Sequence, residues 1–89
     1  MLAENESVTE ESLSRVRWQC RRGMLELDLM LQPFVEDNYH LLSSKEQDAF
    51  KLLLASHDQE LLEYLMGQKK PGNKDVADVA NKIRQAAAD

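Results

Sequence analysis

The residues that could do chemistry in this chain are few and lie far apart. The chain has one cysteine, Cys20, and two histidines, His40 and His57, and no two of them have the spacing of zinc ligands. Cys20 falls on the apolar face of a predicted helix, where a buried and unreactive thiol is expected. Both histidines fall at predicted helix ends, where solvated side chains are expected. The sequence therefore offers no metal site and no nucleophilic pair.

The carboxylates of Glu26 and Asp28 do not form an acid–base pair either. Residues two apart on a helix point to different sides, so these two side chains cannot share a proton. The three glycines are isolated from one another, so no glycine-rich phosphate loop is present. The sequence predicts a binding protein and not an enzyme.

The segment RRGMLELD, residues 21–28, concentrates the remaining signals. It ends a dense cationic block of four residues, Arg15, Arg17, Arg21 and Arg22, and it carries Glu26 on the next turn. One interpretation is structural: Gly23 is the left-handed residue that ends a helix, with two arginines in the last turn. The other is a protein-docking corner, because Leu25 and Leu29 fall on the polar side of the next helix. The structural interpretation requires another helix to cover these two leucines.

Composition predicts one small all-α domain. Leucine occurs 14 times in 89 residues, whereas Val, Ile and Thr together occur 7 times, which leaves little material for strands. The net charge of −5 argues against nucleic-acid binding, although the Arg15–Arg22 block keeps that alternative open. Three features predict a cytoplasmic protein. The chain has a single thiol, it has no apolar run of membrane length, and its start does not show a leader pattern.

Apolar periodicity predicts five short helices in a compact bundle. Residues 1–11 are expected to be a flexible tail, and residues 12–89 a single helical domain. The predicted helices cover about 13–22, 24–42, 45–55, 59–66 and 74–88. Their expected N-caps are Ser12, Ser43 or Ser44, Asp58 and Asn73, with Glu46 or Gln47 completing a capping box in the third helix.

Two further expectations concern the packing of this bundle. Pro33 is expected to kink or briefly break the second helix, because proline removes one backbone hydrogen bond. Aromatic and aliphatic side chains are expected to form the core, namely Trp18, Met24, Leu27, Met30, Leu31, Phe34, Val35, Leu41, Leu42, Ala49, Phe50, Leu53, Leu54, Leu61, Leu62, Leu65, Met66, Val76, Val79, Ala80 and Ile83. Gly67 is expected to end the fourth helix.

The run WQCRRGMLELDLMLQPFVEDNY, residues 18–39, resembles the signature of the SdhE family of FAD assembly factors, also called succinate dehydrogenase flavinylation factors. The RGxxE motif of that family is met at Arg22, Gly23 and Glu26. A second run, LSSKEQDAFKLLLASHDQELLEYLMG at residues 42–67, is similar to the family's second half. Tyr64 stands where other members carry tryptophan, and the tail after Lys74 matches only loosely.

The resemblance implies a five-helix fold and a role in assembly. The protein would bind the flavoprotein subunit of succinate dehydrogenase, and also that of fumarate reductase, and promote covalent attachment of FAD to a histidine of that client. We expect no tightly bound FAD on the chain itself and a monomer when free. The expected partner-binding residues are Arg15, Arg21, Arg22, Gly23, Met24, Leu25, Glu26 and Leu29. A label as antitoxin CptB, also found in this family, gives the alternative function.

Overall fold

A computed structural model describes residues 10–88 of the chain. The described part contains five α-helices and no strand, which confirms the all-α prediction. The helices are α1 (Glu10–Gln19), α2 (Leu25–Asn38), α3 (Ser44–Leu54), α4 (Asp58–Leu65) and α5 (Lys74–Ala88), and a 3-10 turn (Tyr39–Leu41) follows α2. The radius of gyration is 12.4 Å, close to the roughly 12 Å typical of a compact domain of this length.

The core lies where α5 packs on α2, α3 and α4. Each of these helices is too short to be stable alone in water, so each depends on burying its apolar face. At the centre the rings of Phe34 and Phe50 have their centroids 5.8 Å apart, and those of Tyr39 and Phe50 5.5 Å. The side chains of α3, α4 and α5 that are buried around these rings include Leu53, Leu61, Leu65, Val79 and Ile83.

Helix α1 lies earlier in the chain than predicted. It runs over Glu10–Gln19, so Ser12 is inside the helix and not its N-cap, and Glu10 and Glu11, which were expected in the tail, are already helical. Residues 1–9 lie outside the described part. At the other end the Cys20 amide bonds the carbonyls of Val16 and Arg17, and the helix stops there. Arg21 and Arg22 are therefore beyond the helix, and the prediction that they occupy its last turn is wrong.

Helix α2 continues through Pro33, so of the expected kink or short break the break does not occur. It ends at Asn38, and the chain then tightens into the 3-10 turn instead of continuing as α-helix to residue 42. The carboxamide of the buried Gln47 donates to the carbonyls of Tyr39 and Leu42, 3.4 and 3.2 Å away, and so fixes this turn. As a result Tyr39 is buried, which the sequence did not predict, and Leu41 is 70% exposed, which corrects its assignment to the core.

The ends of the last three helices were largely predictable from local signals. Ser43 and Glu46 form the capping box of α3, whereas Ser44 is already helical. His57, and not Asp58, occupies the N-cap position of α4, and its side chain makes no capping hydrogen bond. Met66 follows α4 and is half exposed, so its assignment to the core is wrong.

Helix α5 starts and packs as the sequence predicts. The Asn73 side-chain oxygen accepts from the amides of Asp75 and Val76 at 2.8 and 3.1 Å, which confirms it as the N-cap. Gly67 has a φ of 78°, as expected of the residue that ends α4. No helix in residues 10–88 is long and apolar enough to cross a membrane.

Candidate functional site

Gly23 lies in the connection between α1 and α2 and has a φ of 78°, in the left-handed region where glycine is favoured. The predicted conformation is confirmed, but Gly23 does not directly follow the end of α1, since three residues separate it from Gln19. A Cβ at this position would meet no atom within 4 Å. The backbone conformation, and not crowding inside the molecule, therefore requires glycine here, and the residue is open to solvent.

Arg22 fixes this connection from the inside. Its guanidinium donates through Nη2 to the carbonyls of Leu54 and Ser56, and its Nε lies 3.6 Å from Oδ1 of Asp58. Its side chain is only 17% exposed. Arg22 satisfies carbonyls at the end of α3, where a cation suits the helix dipole, and it pairs with Asp58, the acid that begins α4. Arg22 thus ties the connection to the α3–α4 junction.

Asp28 holds the same connection from the other side. Its Oδ1 accepts from the backbone amide of Arg22 at 2.9 Å. The N-cap of α2 is Met24, which has extended backbone angles, gives no side-chain capping bond and packs half-buried against the core. Glu26 is exposed and makes no ion pair with any described residue. The two acids thus differ in their surroundings: Asp28 supports the connection, while Glu26 remains available.

The two leucines that fall on the polar side of α2 are exposed. Leu25 is 71% and Leu29 64% exposed, so no helix of the described part covers them. The purely structural interpretation required another helix to cover these two leucines, and this requirement is not met. The exposed pair leaves a small apolar area next to Gly23 and Glu26, which suits contact with another protein.

The arginines of the cationic block separate into different roles. Arg21 is exposed and has no ion-pair partner within residues 10–88. Arg15 lies on the exposed side of α1, with Nη2 3.8 Å from Glu11. Arg17 forms a bidentate pair with Glu36 of α2, Nε to Oε2 at 2.6 Å and Nη2 to Oε1 at 3.1 Å. We define the docking corner as Arg21, Gly23, Leu25, Glu26 and Leu29.

A groove of about 370 Å³ lies between α1 and α2, next to the docking corner. Leu29, Pro33 and the buried Cys20 and Val35 line its walls, and the Arg17–Glu36 pair lies at its edge. The sequence alone does not predict this groove. The only signal for it was the arrangement of arginines in α1 and acids in α2, which allowed an ion pair between the two helices.

Trp18 is the residue whose placement differs most from expectation. It was assigned to the core, but it is 71% exposed near the end of α1. Val16 and Cys20 are buried instead and hold α1 against the bundle. Trp18 is thus a large apolar side chain that is not part of the core. In the sequence it lies close to the residues of the docking corner.

Cys20 and the two histidines differ in their exposure. Burial raises the pKa of the Cys20 thiol to about 12, although Arg22 opposes the shift. His40 and His57 are both exposed. Among the described residues no three His, Cys, Asp or Glu side chains lie close enough together to hold a metal ion. The arrangement can bind by apolar contact and by charge-assisted hydrogen bonds.

Fold and site together define a small helical protein that presents an exposed apolar and charged corner on a fixed connection. The chain belongs to the family described as flavinator of succinate dehydrogenase, whose model matches residues 14–87. This match confirms the resemblance seen in residues 18–67 and extends it through most of α5.

Curated relatives cover nearly the same part of the chain. It is 43% identical over 75 residues to the FAD assembly factor SdhE of Vibrio cholerae, an alignment that covers 84% of this chain and 87% of the relative. It is 42% identical over 77 residues to that of Shewanella oneidensis, with 86% and 94% covered. It is 36% identical over 74 residues to that of Coxiella burnetii, with 83% and 90% covered. The antitoxin alternative gains no support from these relatives.

Proposed function

We propose that this protein binds the flavoprotein subunit of succinate dehydrogenase through the docking corner and promotes covalent attachment of FAD to that subunit. Membership of the flavinator family supports the choice of client. The observation that carries the site is the contrast around Gly23: Arg22 and Asp28 fix the connection, while Arg21, Glu26, Leu25 and Leu29 stay exposed.

Such a protein can promote attachment without chemistry of its own. Forming a bond between a flavin and a histidine requires the two rings to be held in reacting geometry, with the developing charge stabilised. The client supplies both the histidine and the flavin site in this proposal. The assembly factor binds the immature client preferentially in its attachment-competent arrangement and so raises the population of that arrangement.

Each residue of the docking corner has a part in this binding. Gly23 presents an unobstructed backbone, because it has no side chain and no neighbouring atom lies within 4 Å of the position of a Cβ. Arg21 and Glu26 supply opposite charges for hydrogen bonds to the client. Leu25 and Leu29 supply the apolar area that a specific interface needs at its centre. Arg22 and Met24, predicted to contact the partner, act by fixing and supporting the connection, and Arg15 adds positive charge at its edge.

The experiment is co-expression of the client with variants of this protein, followed by in-gel fluorescence of covalently bound flavin. Glu26→Ala and Gly23→Arg are expected to lower the client's fluorescence severalfold. Asp48→Ala, which removes an exposed acid of α3 outside the docking corner, is the matched control and should retain it. Unchanged fluorescence with both docking-corner variants would contradict the assignment of the site.

The same assay tests the wider client range. Family resemblance extends the proposal to the flavoprotein subunit of fumarate reductase. If that subunit is a client, its covalent flavin should also depend on Glu26. Equal labelling with and without this protein would remove it from the client range.

A further inference from the structure

The groove between α1 and α2 has the dimensions of a pocket for a single side chain. Its volume is about 370 Å³. A protein cavity of about 150 Å³ is enough to hold benzene, so the groove can take one large aliphatic or aromatic side chain. Leu29 and Pro33 form an apolar wall on α2, and Cys20 and Val35 lie beneath them. An apolar recess of this kind is typical of the pockets that receive interface anchor residues.

The charged side chains that line the groove are two arginines, Arg17 and Arg21, and two acids, Asp28 and Glu36. The guanidinium of Arg17 is neutralised by Glu36, to which it is bonded twice. One carboxylate oxygen of Asp28 accepts from the backbone amide of Arg22, which is neutral, so Asp28 keeps its negative charge beside the groove. Arg21 also lines the groove, and within the described residues it forms no ion pair. A partner carboxylate that reaches the exposed Arg21 guanidinium, and not the Asp28 side of the groove, is therefore the complementary charge.

The groove is continuous with the docking corner. Leu29 belongs to both, since it is one of the two exposed leucines and also a wall of the groove. Arg21 likewise borders both. A partner seated on Leu25 and Leu29 would therefore lie directly over the opening of the groove.

We propose that this groove receives one apolar side chain of the flavoprotein client, next to a client carboxylate that pairs with Arg21. The proposal rests on the proposed function for the identity of the partner, and it adds a specific pocket to that interface. The apolar side chain anchors the client against α1 and α2, and the Arg21 pair sets the orientation of the client segment. The Arg17–Glu36 pair bridges the two helices at the edge of the groove, and the groove is present in the chain without a partner.

The test uses Gln32, an exposed groove residue whose replacement can fill the pocket. In Gln32→Trp the indole competes with the client side chain for the groove. Gln59→Trp places the same side chain at an exposed position of α4 that does not line the groove, and it is the matched control. Gly23→Arg reports on the docking corner. Thermal unfolding of each variant shows that it is folded before binding is measured.

Binding is measured by calorimetry against the flavoprotein subunit of succinate dehydrogenase, purified before flavin attachment. We expect Gln32→Trp to raise Kd about tenfold or more and Gln59→Trp to leave it within about twofold. Binding by Gln32→Trp within twofold of wild type, together with loss of binding by Gly23→Arg, would overturn the groove proposal alone. Absence of binding by the wild-type chain would overturn both proposals.

The proposed ion pair between Arg21 and a client carboxylate can be tested separately. Arg21→Ala is expected to raise Kd several-fold in low salt, and the difference from wild type should shrink toward zero near 0.5 M NaCl, because salt screens an exposed ion pair. Lys51→Ala, an exposed cation of α3, should show no such difference. An Arg21→Ala effect that is absent at low salt would overturn the assignment of the carboxylate.

Discussion

Arg22 donates a hydrogen bond to the carbonyl of Leu54, a residue 32 positions later in the chain. This contact joins the connection between α1 and α2 to the last residue of α3. It explains how the five-residue connection, which contains the left-handed Gly23, can keep one conformation. The neighbouring Arg21 makes no comparable contact in the described part and points to solvent. Two adjacent arginines thus have separate roles, one in the fold and one at the surface.

Replacement of these two arginines should separate stability from function. Arg22→Ala leaves the Leu54 and Ser56 carbonyls and Asp58 without their partner, so it should lower the free energy of unfolding by about 1–3 kcal/mol. Arg21→Ala should change it by less than about 0.5 kcal/mol. Urea unfolding measures both values. Equal stability of Arg22→Ala and wild type would show that the contact does not hold the connection.

Substitutions at Gly23 should carry a cost in stability and a separate cost in function. A Cβ meets no neighbour there, so the cost in Gly23→Ala comes from the left-handed backbone alone and should be roughly 1–2 kcal/mol. Gly23→Asn should be milder, because asparagine tolerates this conformation better. Gly23→Arg should be about as destabilising as Gly23→Ala but should lower client flavin further. Equal flavin with Ala and Arg would mean that backbone conformation is the whole effect.

Trp18 should be dispensable for the fold. It is the single tryptophan and is 71% exposed, so its fluorescence should be readily quenched by iodide in the native protein. Trp18→Ala should change the free energy of unfolding by less than about 0.5 kcal/mol, whereas Phe50→Ala should lower it by about 3–5 kcal/mol. Protection of Trp18 from iodide in the native state would contradict its exposed placement.

Several parts of the fold could be predicted because their signals are local. The Asn73 cap, the apolar face of α5 and the positive φ of Gly67 each follow from a few neighbouring residues. The exposure of Leu25 and Leu29 follows in the same way, since a period of 3.6 residues places them on the polar side of α2. The RGxxE motif then indicated where the proposed docking corner lies.

The rest depends on contacts that sequence periodicity does not contain. The position of Arg22 is set by carbonyls of the distant α3–α4 junction, and the 3-10 turn is set by the Gln47 carboxamide. Trp18 was placed in the core because large apolar residues are usually buried, but the neighbouring Val16 and Cys20 already fill that position. The groove exists only because α1 and α2 pack side by side, so no single segment encodes it.

The α3 capping box gives a prediction for pH dependence. The Ser43 amide and the ammonium of Lys82, which lies 2.9 Å from Oε2, hold the pKa of the Glu46 carboxyl below its ordinary value of 4.5. Because the pKa is lower in the folded than in the unfolded chain, the ionised carboxyl stabilises the fold. This stabilisation is fully present above the ordinary pKa of 4.5 and is lost as pH falls through the folded pKa. Glu46→Gln should therefore be less stable than wild type at pH 7, with a difference that shrinks toward pH 3. Urea unfolding across this range measures it, and a constant difference would contradict the ionic contribution.

Cys20 should react with thiol reagents only when the protein opens. The side chain is fully buried, and a pKa raised to about 12 keeps it protonated at pH 8, whereas thiolate is the reactive form. Labelling by 5,5′-dithiobis(2-nitrobenzoic acid) at pH 8 should be much slower than that of glutathione and should accelerate through the urea transition. Gln32→Trp should label as slowly as wild type, because it fills the groove without opening the core. Rapid labelling of the native wild-type chain would mean that the groove reaches the sulfur, and the closed apolar wall assigned to it would be wrong.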